Sequence, residues 1–344
     1  MIDMISRLGP GASAQVGCLH PRTVDEPMDQ QYCILDDGSI LTVHGYTHPP
    51  GLVVGELSYL PDASGPHLLL GMNYRKAYQR HGRGLPELKR PRVRAHTGMF
   101  FDCAHPFLAK SIVPIGRIDA VYTHTSVNDV GAVKLDRARA MARRFLGRLA
   151  DHFDIGLTGS HALSTANDLP VELHDLDVVL RGTTHDAADA VAVLQERSER
   201  QEVERLWEHG KGWRIRLRTP TGIFCPFFVY REALESPLAA LRSISDVAQS
   251  VTVKAVVVDN MHGGFLPTWV RCEVVESTNP VVQLGSQLPV LISHMRSRGD
   301  FAKGDTAMFH GAVIDIDTGT TRVRALSVID GNESRLLTPT WSLR

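Results

Sequence analysis

The chain has 344 residues, 43% of them hydrophobic and 22% charged, with a formal net charge of −1. That balance is the one expected of a globular protein with room for two or three domains, and it excludes a globally basic nucleic-acid binder. No uninterrupted apolar stretch approaches the roughly 18 residues of a membrane span. Met1 to Ile5 lack the basic-then-apolar layout of a secretory signal, and five scattered cysteines speak against a disulfide framework. A cytoplasmic location is the resulting expectation.

Residues 1–115 read as a mainly β N-terminal domain, rich in Gly and Pro, with short β-like runs at Gln31–Leu35, Ile40–His44 and Leu52–Ser58. Asp37-Gly38 between the first two runs is a hairpin signal, because a tight two-residue turn needs positive φ. Between Asn73 and His96 the chain carries Arg75, Lys76, Arg80, Arg83, Lys89, Arg90, Arg92 and Arg94 against the single acid Glu87, with Tyr74 and Tyr78 interleaved. Glycines and prolines make the second half of this stretch a loop. RNA or another polyanion is the partner expected at Arg80, Arg83, Lys89, Arg90, Arg92 and Arg94, a solvated surface loop being the alternative.

Residues 126–245 read as a second domain. An amphipathic helix is expected from Val133 to His152, with Leu135, Ala138, Met141, Ala142, Phe145 and Leu149 on its apolar face. A strand then ends at Gly159-Ser160. A helix starting there would aim free N–H groups, a positive dipole end and the Ser160 hydroxyl at an anion. In the next strand, from His174 to Leu180, a period of two places Asp175 and Asp177 on one face while Leu176 and Val178 point into the core. Two carboxylates this close repel unless a cation lies between them, and hard oxygen ligands suit Mg²⁺. A further helix from about Asp186 to Trp207, the basic strand Trp213–Arg218 and an apolar strand Ile223–Tyr230 complete the unit.

Residues 247–344 return to a β pattern. Val251–Asp259, Trp269–Val275, Val290–His294, Thr306–Asp315 and Arg322–Ile329 are strand-like runs separated by turn residues, which indicates a small C-terminal barrel or sandwich. Cys18–His20 and Cys103–His105 share a spacing, but the ordered pairs of a structural zinc site are missing.

The ordered combination of Gly159-Ser160 and Asp175-Leu176-Asp177, over approximately residues 133–232, resembles the polymerase-β-like nucleotidyltransferase superfamily. The resemblance implies an α+β protein, with a central nucleotidyltransferase-like mixed sheet and its helices between the two β domains. It also implies Mg²⁺-dependent transfer of a nucleoside monophosphate from a nucleoside triphosphate to a hydroxyl acceptor. Asp175 and Asp177 would be the catalytic, metal-holding acids. Gly159 and Ser160 would grip the terminal phosphates, and Lys211, Arg214 and Arg216 would offset charge on the departing pyrophosphate. The pattern also wants a third carboxylate on a later strand, where this chain has Phe224 and Cys225. Asp186, Glu208 or Glu232 could supply the missing oxygen from elsewhere. That departure leaves two further readings open: a catalytically silent nucleotide- or RNA-binding relative, and an assembly module.

Overall fold

The computed structural model describes residues 27–48, 51–77, 101–102, 111–124, 129–164, 175–208, 211–219, 222–328 and 334–338. The N-terminal sheet contains β1 (Tyr32–Leu35), β2 (Ile40–Val43), β3 (Leu52–Pro61), β4 (His67–Leu69), β5 (Met72–Lys76), β6 (Phe101–Asp102), β7 (Ser111–Pro114) and β8 (Ile118–Tyr122). The β1–β2 turn closes at Gly38, whose φ of +78° suits a residue without a β-carbon. β7 pairs with β3, and after a single 3₁₀ turn the chain continues as β8 and pairs with β1, so the sheet curls back on itself. Cys33, Leu35, Leu41, Val43, Val53, Leu57, Leu60 and Val113 fill the space inside.

The central sheet comprises β9 (Asp154–Leu157), β10 (Asp175–Gly182), β11 (Glu204–Glu208), β12 (Lys211–Thr219) and β13 (Gly222–Tyr230), in the order β11-β12-β13-β10-β9. β10 and β13 run parallel, and the other neighbours are antiparallel. Helix α1 (Asp129–Leu146) and helix α3 (Thr184–Glu199) bury Leu135, Ala138, Met141, Phe145, Ala187, Val191 and Leu194 with Leu176, Val178, Phe224 and Phe228. Phe145 stacks on Phe224 with ring centroids 4.9 Å apart. Between them α2 (Gly159–Leu163) is a single short turn of helix.

The C-terminal strands are β14 (Ser243–His262), β15 (Thr268–Ser277), β16 (Gln287–Ile292), β17 (Thr306–Asp317), β18 (Arg322–Val328) and β19 (Ser334–Thr338). β14 is 20 residues long and bends at two bulges near Ala248, which lets it pair with β15 on one side and β17 on the other. With β16 and β18 parallel, the circuit β14-β15-β16-β18-β17-β14 closes a five-stranded barrel. That order is the one of the Greek-key barrel called the OB-fold. Its interior holds Val251, Val253, Val257, Val270, Val290, Phe309 and Leu326. The β14–β15 loop docks on the central sheet, where Phe265 stacks on Tyr230 at 3.7 Å.

The expectation of an α+β protein is overturned. Strand accounts for 51% and helix for 20% of the described structure, in three sheets with three α-helices. Among the described residues the α-helices lie within 129–199, and even there they stop early. The run expected to Val133–His152 leaves the α-helix at Leu146 and continues as a 3₁₀ turn beginning at Gly147, whose φ is +60°. The helix expected to reach Trp207 ends at Glu199, Gln201 turns at φ +57°, and residues 204–208 are strand β11. Among the described residues no helix is long and apolar enough to cross a membrane.

Candidate functional site

Asp175 and Asp177 lie at the start of β10 on the face turned away from α1 and α3, as the alternation with buried Leu176 and Val178 requires. Parallel pairing sets Cys225 of β13 beside Asp177, and the β12–β13 register places Arg216 next along the same face. Arg216, nearly buried, forms an ion pair with the Asp175 carboxylate, and its guanidinium sits 5.3 Å from the centre of the Trp213 ring.

β9 delivers the Gly-Ser turn to the same place. Thr158 donates its backbone N–H to the Asp177 carbonyl at 3.0 Å and its hydroxyl to the Gln30 carbonyl at 2.9 Å. Gly159 follows at φ +70°, where a β-carbon would collide with the Asp177 carboxylate. The glycine is therefore required by the approach of Asp177 itself. The Gly159 N–H and the Thr158 hydroxyl both reach the Tyr32 hydroxyl, whose acidity burial suppresses. Gly159 and Ser160 do open a helix, but α2 has only five residues, and its first amide is already engaged by the N-terminal sheet.

The opposite wall comes from residues far along the chain. Arg298, in the connector between β16 and β17, is buried against β13. It donates to the Pro226 carbonyl at 2.9 Å and lies 3.6 Å above the Phe227 ring. It also hydrogen-bonds Cys225 and faces Asp177 and Asp29. Burial pushes the Cys225 thiol up to about 12, with the charge of Asp177 acting in the same direction, so the thiol stays protonated at neutral pH. Asp29 accepts from the Gly45 N–H at 2.7 Å and from Gln30 Nε2 at 3.2 Å. Burial raises its carboxyl to about 7 against those bonds.

The structure brings Asp175, Asp177, Gly159, Ser160 and Arg216 together, and it employs Lys211 and Arg214 elsewhere. Lys211 starts β12, about 17 Å along the strand from Arg216 at 3.3 Å per residue, and is paired with Asp300. Arg214 is paired with Asp305 and Glu199 and donates to the Asp300 carbonyl at 2.8 Å. Arg218 is paired with Glu204. None of the acids weighed as a third carboxylate reaches the site. Asp186 bonds Thr183 and His152 beyond the far end of eight-residue β10, about 23 Å from Asp175. Glu208 pairs across the β11–β12 hairpin, and Glu232 lies in the turn after β13.

The basic residues Arg80, Arg83, Lys89, Arg90, Arg92 and Arg94 lie outside the described residues. Of their flank, Arg75 pairs with Asp62, and Tyr74 is buried with its hydroxyl on the Gly38 carbonyl, so that ring is core. Arg298, Asp29, Tyr32, Asp300 and Asp305 were not singled out in the sequence. Nothing local distinguishes them, because their roles arise from contacts across the fold.

Mg²⁺ requires oxygen ligands with lone pairs to spare. Here Asp175 is engaged by Arg216, Asp177 is wedged between Gly159, Cys225 and Arg298, and the third place holds a protonated thiol. Among the described residues no group of three His, Cys, Asp or Glu side chains is arranged to hold a metal ion. The residues present do not fit Mg²⁺: two guanidiniums already balance the two carboxylates. Compared with protein-family models, curated proteins and solved structures, the chain gave no match.

Proposed function

We propose that this chain is a catalytically silent relative of the nucleotidyltransferases, in which the acid pair serves as an internal junction and ligand binding is independent of metal. The observation that carries the reading is the Asp175–Arg216 ion pair, which commits to a protein cation the carboxylate that transfer chemistry would need for a metal. The neutral Cys225 beside Asp177 supports it further. The cluster joins the N-terminal sheet through Tyr32 and Asp29, the central sheet through Asp175 and Asp177, and the C-terminal barrel through Arg298.

RNA or another polyanion is the partner in this reading, bound through Arg80, Arg83, Lys89, Arg90, Arg92 and Arg94, since the cations of β12 all have acidic partners. A cytoplasmic location belongs to the same reading, supported by the free, buried thiols of Cys33, Cys225 and Cys272. The test is a calorimetric titration of the full chain with ATP, with and without Mg²⁺. No Mg²⁺-dependent binding is expected, and an affinity that rises with Mg²⁺ rejects the silent reading.

A further inference from the structure

Among the described residues one tryptophan is exposed: Trp207, in the edge strand β11, at 72%. Strand pairing sets it opposite Gly212, where a β-carbon would stand 3.1 Å from the indole, so the glycine lets one side of the ring lie on β12 and leaves the rest to solvent. The Arg205 side chain reaches the same glycine, and its guanidinium donates to the Ser198 hydroxyl of α3. Ring and helix end therefore share one face of the central sheet. Arg197, beside Ser198, donates to the Arg144 and Phe145 carbonyls at 2.9 Å and so ties the end of α1 to the end of α3. Arg144 and Arg148 are exposed there and have no acid partner among the described residues. Arg143 and Arg200 do have partners, Asp151 and Glu196, in exposed pairs that contribute little in water.

We propose that Trp207 and the arginine-bearing ends of α1 and α3 form a docking surface for single-stranded nucleic acid, with a base stacked on the indole and neighbouring phosphates on Arg144, Arg148 and Arg200. An exposed π-face beside guanidiniums suits a chain in which planar bases alternate with anions, because every base can stack and every phosphate attracts a cation. An anionic membrane would call for several apolar side chains among the cations, and in this band Trp207 is the one large apolar side chain exposed among the described residues. The inference rests on the reading of RNA as the partner and adds a second contact to it. It does not depend on the acid pair, which lies on the opposite face of the central sheet.

The test titrates the full chain with oligouridylate and, in parallel, with oligothymidylate. Trp207→Leu keeps apolar cover over Gly212 and removes the π-face, whereas Trp207→Phe keeps both. The leucine variant is expected to bind about tenfold more weakly, the scale of one stacked base, and the phenylalanine variant to recover most of that loss. Arg144→Gln with Arg148→Gln is expected to flatten the logarithmic salt slope by about 1.4, or roughly 0.7 for each of two phosphates, in a protein that still folds. Wild-type affinity in a folded Trp207→Leu protein, a phenylalanine variant no better than the leucine one, or an unchanged salt slope overturns the surface. Failure of the RNA reading looks different: an unaltered chain that binds oligothymidylate alone, through Trp207, keeps the surface and replaces RNA with DNA, and one that binds neither oligonucleotide at low salt removes both.

Discussion

The Arg216 guanidinium and the Asp175 carboxylate form an ion pair across the helix-free face of the central sheet, and their environments are unequal: the arginine side chain is 9% exposed and the aspartate 32%. Removing one partner of such a pair costs most when the charge left behind is the buried one. Asp175→Asn should therefore destabilise the protein by about 1–3 kcal/mol, after allowing for the partly solvated carboxylate. Arg216→Met, which leaves an acid that water can reach, should cost less than about 1 kcal/mol. Urea denaturation of the two variants decides the order, and the reverse order is incompatible with the burial just described.

Gly159 and Asp177 are coupled by contact. Gly159→Ala places a β-carbon at φ +70° and against the Asp177 carboxylate, and the expected loss is about 1–3 kcal/mol. Part of that loss is backbone strain and part is the collision, and only the collision disappears when the carboxylate is removed. In a double-mutant cycle, Gly159→Ala with Asp177→Ala should be less destabilised than the sum of the two single changes. Strict additivity of the measured values would mean that the two residues do not touch.

Asp29 gives a pH dependence with a definite sign. Its carboxyl is raised from 3.8 to about 7, with burial as the largest cause, so the folded state binds the proton more tightly than the unfolded state. The stability contributed by this group is complete below about pH 3.8 and is lost as pH rises through about 7, with an upper bound of about 4 kcal/mol. Asp29→Asn should remove that dependence, leaving the variant close to wild type below about pH 4 and more stable at pH 8. Denaturation midpoints measured from pH 4 to pH 8 check it, and parallel curves for the two proteins would refute the assignment.

The basic run makes a prediction about salt. Replacing Lys89, Arg90, Arg92 and Arg94 by glutamate should weaken RNA binding strongly and flatten its dependence on salt, by roughly 0.7 in the logarithmic slope for each single-strand phosphate that the protein no longer neutralises. Triphosphate binding should not change in the same protein. RNA affinity that survives the four substitutions with its salt slope intact would remove the run from the partner surface.

Some of this architecture was legible in the chain. Asp37-Gly38 announces the β1–β2 hairpin because the tight turn that closes it needs a residue at positive φ, met by Gly38, and alternation along Asp175–Leu180 separates the acids from the core in any strand. The apolar face of α1, from Leu135 to Phe145, is written in its periodicity. These are short-range facts, governed by backbone sterics and by side chains a few residues apart. The fold class was not legible in that way. Local pattern does not reveal that β14 continues through bulges for 20 residues, or that Gln201 turns the chain out of α3 and into β11.

The chemistry of the site lies further still from local pattern. Arg216 stands 41 residues after Asp175, and Arg298 follows Asp177 by 121, by their numbering. Paired acids predict a need for positive charge, and the sequence by itself determines that need. Whether a metal or a guanidinium meets it was decided by the register of β12 against β13 and by where the barrel connector docks, since electrostatic partners are chosen by distance in space and not by separation along the chain.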